Sequence, residues 1–300
     1  MGTIITDLRE KFRNGDIAIQ LIYINVAVFV VTTVVGIVLK LSGFEEGASF
    51  SFLSLPSSVS RFLIQPWSVI TYMFMHAGVW HVLFNMLCLY WFGEIFLMFF
   101  SSKHLRGLYI LGGIAGGALF MLSYNVFPYF LPVLDSSVVV GASASILAII
   151  IAVAYREPNY RVQLFLIGNV SLKYLALFVV VVDFMFITSS NAGGHIAHLG
   201  GAMAGWLFAL LLRKGVDLTL WINKVLDFFL SLFQYHTWHR KPKMQVHYYD
   251  NVRRETDAEY NQRKKKKDEE IDRILDKLKK SGYGSLSSEE KKRLFDASKK

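Results

Sequence analysis

Cysteine is nearly absent from these 300 residues: Cys88 is the single one. A lone thiol in an apolar stretch excludes a disulfide framework and any metal site built from several cysteines. Charge is scarce as well. Asp, Glu, Lys and Arg make up 18% of the chain against 53% hydrophobic residues, and most of that charge falls in the last third. This pattern belongs to a polytopic membrane protein with a polar tail rather than to soluble domains. The start, MGTIITDLREKFRNGD, is polar and mixed in charge, unlike a cleavable signal. The first apolar run is therefore expected to stay as an anchor. Gly2 and Thr6 match a short myristoylation pattern, but an integral membrane protein needs no acyl anchor, and the match is read as chance.

What is present is a set of long apolar runs. Six can cross roughly 30 Å of hydrocarbon: Ile19–Leu39, Trp80–Phe100, Leu105–Tyr124, Val138–Tyr155, Tyr174–Thr188 and His195–Leu212. Loops one, three and five hold few basic residues, Arg61 being the clearest. The opposite side collects Arg9, Lys11, Arg13, Lys103, Arg106, Arg156, Arg161, Lys173 and the whole tail. The positive-inside bias predicts both termini in the cytosol. The expected organisation is a polar segment at 1–18, a six-helix domain at 19–213 and a cytosolic tail at 214–300. The expected location is the plasma (cell inner) membrane, crossed several times.

With that orientation, spans two, four and six enter from the outer face. HAGVWHVLFN supplies His76, His81 and Asn85, the last two being i,i+4 neighbours on one helical face. GASAS places Ser143 about five residues into span four, and GGHIAHLGGAMAG gives His195 and His198 in span six. At ~1.5 Å per residue, Ser143, His198, His81 and Asn85 share a level within roughly 10 Å of the outer end. Taken singly, each has a plain reading: a helix-packing serine, a hydrogen-bonded histidine, an interhelical asparagine. Their coincidence in depth favours a common site. Gly201 and Gly205 form a G-x-x-x-G face that brings His198, one turn above, against the serine-bearing helix. Ser143 and Ser145 lie about 200° apart around a helix, so only one can meet span six, and spacing does not choose.

These residues resemble the rhomboid family of intramembrane serine proteases over roughly residues 15–213. The nucleophile motif G-x-S-x reads GASA, A-H-x-G/A-G reads AHLGG, and H-x-x-x-N reads HVLFN. PWSVITYMFMH and SSKHLRGLYILGGIAGG extend the likeness. The resemblance implies an all-α polytopic membrane protein with a six-transmembrane-helix bundle. It implies Ser143 as nucleophile, His198 as general base, and an oxyanion hole formed by His81, Asn85 and the Ser143 backbone N–H. His195 then sits at the helix end or behind the site, and Ser145 is a packing residue. Three positions depart from the family pattern: Ala144 follows the serine in place of glycine, Leu147 replaces a frequent aromatic that stacks on the histidine, and Ser68 follows Trp67 in place of arginine.

Peptide hydrolysis by serine needs a base that takes the hydroxyl proton and returns it to the leaving amine, a task suited to neutral imidazole near pH 7. No carboxylate is expected as third member, since the family works with a Ser–His dyad. Asp183 in span five is read first as an interhelical hydrogen bond, with an orienter of His198 as the minor alternative. No cofactor and no metal are expected. Partners are transmembrane protein substrates and the lipid bilayer, with no nucleic acid. A substrate helix must unwind before attack, which favours segments holding Gly or Pro; cutting beside small residues is implied by the resemblance alone.

Two rivals stand beside this reading: an inactive rhomboid-like protein that binds membrane helices, and a transporter or metal-binding membrane protein using His76, His81, His195 and His198. Few acidic partners and the lack of H-E-x-x-H weigh against the second. In the tail, LWINKVLDFFLSLF is expected to lie along the inner leaflet, and Arg263–Lys267 to touch anionic lipid or water. Ile271, Ile274, Leu275 and Leu278 make a helical stripe, Gly282 and Gly284 suit its end, and Ser287 with Glu290 reads as a capping box. A helical hairpin near 268–297 is predicted, its partner unknown.

Overall fold

The computed structural model describes residues 15–43, 48–164, 168–233 and 257–298. Gly2, Thr6 and the basic residues Arg9, Lys11 and Arg13 lie outside them. The chain forms two compact units, Met1–His236 and Thr237–Lys300.

Six apolar helices make the first unit: α1 (Ile17–Leu41), then, after three short helices α2 (Ala48–Leu53), α3 (Val59–Ile64) and α4 (Ser68–Thr71), α5 (Val79–Phe99), α6 (Ser102–Val126), α7 (Ser143–Arg156), α8 (Leu172–Met185) and α9 (Ala192–Arg213). Of these, α1, α5, α6 and α9 are long and apolar enough to cross a bilayer. Each expected span finds its helix. Local chemistry sets the ends: the Asp16 carboxylate accepts the Ile19 N–H at 3.0 Å to start α1, and the Ser101 hydroxyl accepts the His104 N–H at 3.2 Å to start α6. Gly43, at φ 83°, follows the end of α1.

Span four departs from the expectation. Its helix starts at Ser143, not Val138. Val138–Val139 instead pairs antiparallel with Leu55–Pro56, β2 on β1, and ties the loop after α1 to the approach to α7. A second hairpin, Arg161–Leu164 with Gly168–Ser171 (β3 and β4), joins α7 to α8. Gly141 breaks the run: its φ is 127°, which an L side chain rarely adopts, and its N–H bonds the Tyr72 carbonyl at 2.9 Å. Fourteen residues of α7 span roughly 21 Å. Ser143 is therefore the first helical residue and not one buried a turn and a half along.

Small residues bring α6, α7 and α9 into backbone contact. A methyl on Gly201 would lie 2.1 Å from the Ala144 carbonyl oxygen, and one on Gly205 2.2 Å from that of Ala148. On the other side, methyls on Gly112 and Gly116 would strike the Ala148 and Ala144 side chains at 2.5 and 2.7 Å. Without a hydrophobic drive between helices in lipid, such close approach supplies the van der Waals contact that holds them. Ala144, the departure beside the serine, fits because two glycines face it.

Polar clamps fix the periphery. Tyr109 donates to the Met73 carbonyl at 3.0 Å and pairs with buried Asn25 of α1. Trp67 donates from Nε1 to the Phe52 carbonyl at 3.0 Å, its ring 4.8 Å from that of Phe52, while Ser68 is buried. The amphipathic helix α10 (Leu220–Phe233) is strapped to the start of α6: Arg106 reaches Asn223 Oδ1 at 2.8 Å and Asp227 at 2.7 Å. That guanidinium, hydrogen-bonded to Asp227, holds the carboxyl below its usual range.

In the second unit, α11 (Asp257–Ser281) and α12 (Ser288–Ser298) form a hairpin with Ile274 and Leu286 buried. Gly282 turns the chain at φ 73°. Ser287 and Glu290 exchange hydrogen bonds, Ser287 N–H to Glu290 at 2.7 Å and Glu290 N–H to Ser287 Oγ at 3.3 Å, the reciprocal capping box. Lys277 joins Glu290 at 3.0 Å, and Arg293 pairs with Glu270.

Candidate active site

Ser143, His198, His81 and Asn85 line one cavity of ≈ 410 Å³ between α5, α7, α8 and α9, with Trp80 and Leu147 on its apolar wall. Three helices thus supply the four polar side chains. Backbone contact between Gly201 and Ala144 sets α9 against α7 one turn from His198. The start of α7 leaves Ser143 at the cavity, and its N-cap, Ala142, offers no side-chain acceptor to the first amides.

The two serines part company. Ser145 is fully buried, and its Oγ has no hydrogen-bond partner. It faces α6, where a methyl on Gly113 would meet that oxygen at 2.9 Å. Ser143 lies on the cavity side, its Oγ 3.6 Å from the position a Gly141 methyl would take. His81 Nε2 and Cε1 lie 3.0 Å from that same position. Gly141 leaves the gap between imidazole and hydroxyl open.

Hydrogen bonds define the tautomers. His81 Nδ1 accepts the Ala77 N–H at 3.4 Å, which leaves the proton on Nε2, the atom beside Gly141. Asn85 donates one Nδ2–H to the His81 carbonyl at 2.9 Å and keeps a second N–H. His76 is buried outside the cavity wall, its ring edge-on to His81 at 5.0 Å.

A carboxylate does stand behind the histidine: Asp183 Oδ1 lies 2.8 Å from His198 Nδ1 and 2.8 Å from His195 Nδ1. Asp183 makes the interhelical bond read from the sequence, but its partners are the site histidine and the one a turn before it. The depths gave the signal. Asp183 sits two residues from the C-terminal end of α8, and His195 three residues into α9, so a short loop brings them level. Asp183, His195 and His198 also form a group whose ligand atoms lie within 4.8 Å of one another. Both imidazoles already spend Nδ1 on a single carboxylate oxygen.

Among known families, the rhomboid domain profile matches residues 64–215, just over half of the chain. The chain belongs to the rhomboid family. Residues 254–300 match a family of unknown function (DUF6576). The rhomboid is 27% identical over 157 residues to RHOMBOID-like protein 12, mitochondrial, of Arabidopsis thaliana, covering 49% of this chain and 47% of the relative. It is 28% identical over 159 residues to Rhomboid protein 1, mitochondrial, of Saccharomyces cerevisiae, covering 50% and 43%. RHOMBOID-like protein 7 of Arabidopsis thaliana is 26% identical over 148 residues, covering 49% and 43%. The chain thus spans a little under half the length of these relatives. Membership makes this rhomboid an integral membrane protein and supports a protease-type function at the level of the family.

Proposed function

We propose that this rhomboid is an active intramembrane serine endopeptidase, with Ser143 as nucleophile and His198 as general base. The observation that carries the reading is the shared cavity: a hydroxyl, an imidazole and two side-chain N–H donors from three helices meet in one apolar pocket. Ser143 Oγ attacks the scissile carbonyl and its proton passes to His198 Nε2, left free because Nδ1 is engaged. Negative charge then grows on the carbonyl oxygen. His81 Nε2–H, the second Asn85 N–H and the Ser143 amide at the positive end of α7 are the donors for it, worth ~2.7–4 kcal/mol each by analogy with soluble proteases. His198 returns the proton to the leaving amine, and water releases the acyl group by the reverse sequence.

The substrate reading follows from the pocket's position. It lies between α5 and α8, whose outer faces expose Trp80, Phe84 and Phe178, so a single apolar helix of another protein is the fitting substrate. The bias of basic residues supports both termini on the cytosolic side, with the pocket toward the opposite face. The plasma-membrane placement draws no support from the relatives, two of which are named mitochondrial.

The deciding experiment is cleavage of a panel of single-span reporters by wild type, Ser143→Ala and Ser145→Ala protein, alongside labelling by a fluorophosphonate. Wild type and Ser145→Ala should cut and label, and Ser143→Ala should do neither. An unlabelled, inactive wild type would favour a helix-binding protein. Cutting lost on chelation and restored by zinc would favour the histidine cluster as a metal site.

A further inference from the structure

Asp183 has no part in a Ser–His dyad, yet its surroundings are those of a group with a task. It is 3% exposed on an apolar helix, with Oδ1 shared by two imidazoles and Oδ2 left without a partner. A buried carboxylate with one orphaned oxygen is costly, and packing does not offset it. Nothing about α8 alone requires an acid there: its neighbours Val181, Val182, Phe184 and Met185 are apolar. The charge is matched only by what it faces. Leu147, an aliphatic residue, lines the same cavity as His198, and the ring described next to His198 is that of His195, edge-on at 6.0 Å.

We infer that Asp183 is a positioning residue for His198, converting the dyad into a Ser143–His198–Asp183 relay in which His195 pins the far side of the carboxylate. The inference rests on the proposed protease reading. Accepting the Nδ1–H of His198 keeps the proton off Nε2, so the nitrogen that must deprotonate Ser143 is the unprotonated one. When His198 takes the Ser143 proton, the carboxylate faces the new imidazolium across 2.8 Å and stabilises it. No proton moves to Asp183 in this step; the serine O–H bond breaks, the Nε2–H bond forms, and the negative charge stays on the carboxylate. His195, bonded to the same oxygen, limits rotation of the Asp183 side chain without touching the reacting atoms.

The test is reporter cleavage in detergent by the full chain and by Asp183→Asn and His195→Ala proteins, with kcat and KM separated. Asp183→Asn should lose on the order of 10²–10⁴-fold in kcat with KM nearly unchanged, since Asp183 sets the tautomer and charge of His198 without touching substrate. His195→Ala should lose less than roughly tenfold. Asp183→Asn protein with wild-type kcat would overturn the inference while leaving the protease reading intact, whereas a wild type that neither cuts nor labels would remove both. Should Asp183→Asn fail to fold, proton NMR of Ser143→Ala protein decides: a strongly downfield His198 Nδ1–H resonance supports the relay, and its absence refutes it.

Discussion

Adding one methyl group at Gly201 tests how finely the two reacting helices are set. The new carbon would lie 2.1 Å from the Ala144 carbonyl oxygen, 2.8 Å from its carbon and 3.0 Å from its Cα. A carbon–oxygen contact normally sits at roughly 3.3 Å, so α9 must withdraw from α7 by about 1 Å at this point. The obstacle is backbone, which cannot rotate away as a side chain can. Overpacking of this kind costs about 1–3 kcal/mol of stability. The catalytic effect is larger because of place: Ala144 adjoins Ser143, and Gly201 is one turn from His198. Misplacing reacting groups by about 1 Å can lower rates roughly 10²-fold. Gly205→Ala is the control. Its methyl would lie 2.2 Å from the Ala148 oxygen, an equal clash one turn further from the chemistry. Thermal unfolding in detergent should show similar losses for both variants, and reporter cleavage should show a much deeper fall in kcat for Gly201→Ala. Equal kcat for the two would refute the claim that this contact sets the Ser143–His198 geometry.

Further outcomes follow from other contacts. Gly141→Ala places a methyl 3.0 Å from His81 Nε2 at φ 127°, so fluorophosphonate labelling of Ser143 should slow at least tenfold even where the protein folds. Ser145→Ala removes a buried hydroxyl without a partner, so the melting temperature should hold or rise, by up to about 1 kcal/mol of stability, with cleavage retained; a large loss would mean an unseen bond. The Asp227 carboxyl is held below its ordinary value by the Arg106 hydrogen bond. A depressed carboxylate contributes above its unfolded range near pH 4 and loses that contribution as pH falls through its folded value. Protection of the α10 amides, measured relative to the intrinsic exchange rate at each pH, should therefore fall at pH 3, and Arg106→Gln should lower it already at pH 7.

Much of this was legible because membrane sequence is blunt. Six apolar runs gave six helices, since a backbone in lipid has few alternatives to hydrogen-bonding itself. The G-x-x-x-G face was readable as a contact, and its partner turned out to be the small residues Ala144 and Ala148. What hydropathy hid was the start of α7. Val138, Val139 and Val140 are as apolar as any helix, but β-branched residues also suit a strand, and pairing with Leu55–Pro56 was non-local. Gly141 was the local mark of the break, a residue that could turn where valine could not.

The pairing of Asp183 with His198 stayed a minor reading for a different reason. Helical spacing orders residues along one element and is silent on which neighbour faces which. An acid in span five and two histidines in span six were each visible; their meeting depended on a short α8 and a brief loop before α9 that put both ends at one depth. The same shortness governs Ser143, the proposed nucleophile. A helix of roughly 21 Å cannot cross roughly 30 Å of hydrocarbon, so if Arg156 rests at one interface, Ser143 stops about 9 Å short of the other. The loop that fills the gap, held by β2 and the Gly141 amide, keeps the serine below the surface without enclosing it in the bundle. A hydroxyl set there is within reach of water from above and of a lipid-borne helix from the side, which are the two reactants that peptide hydrolysis in a membrane has to bring together.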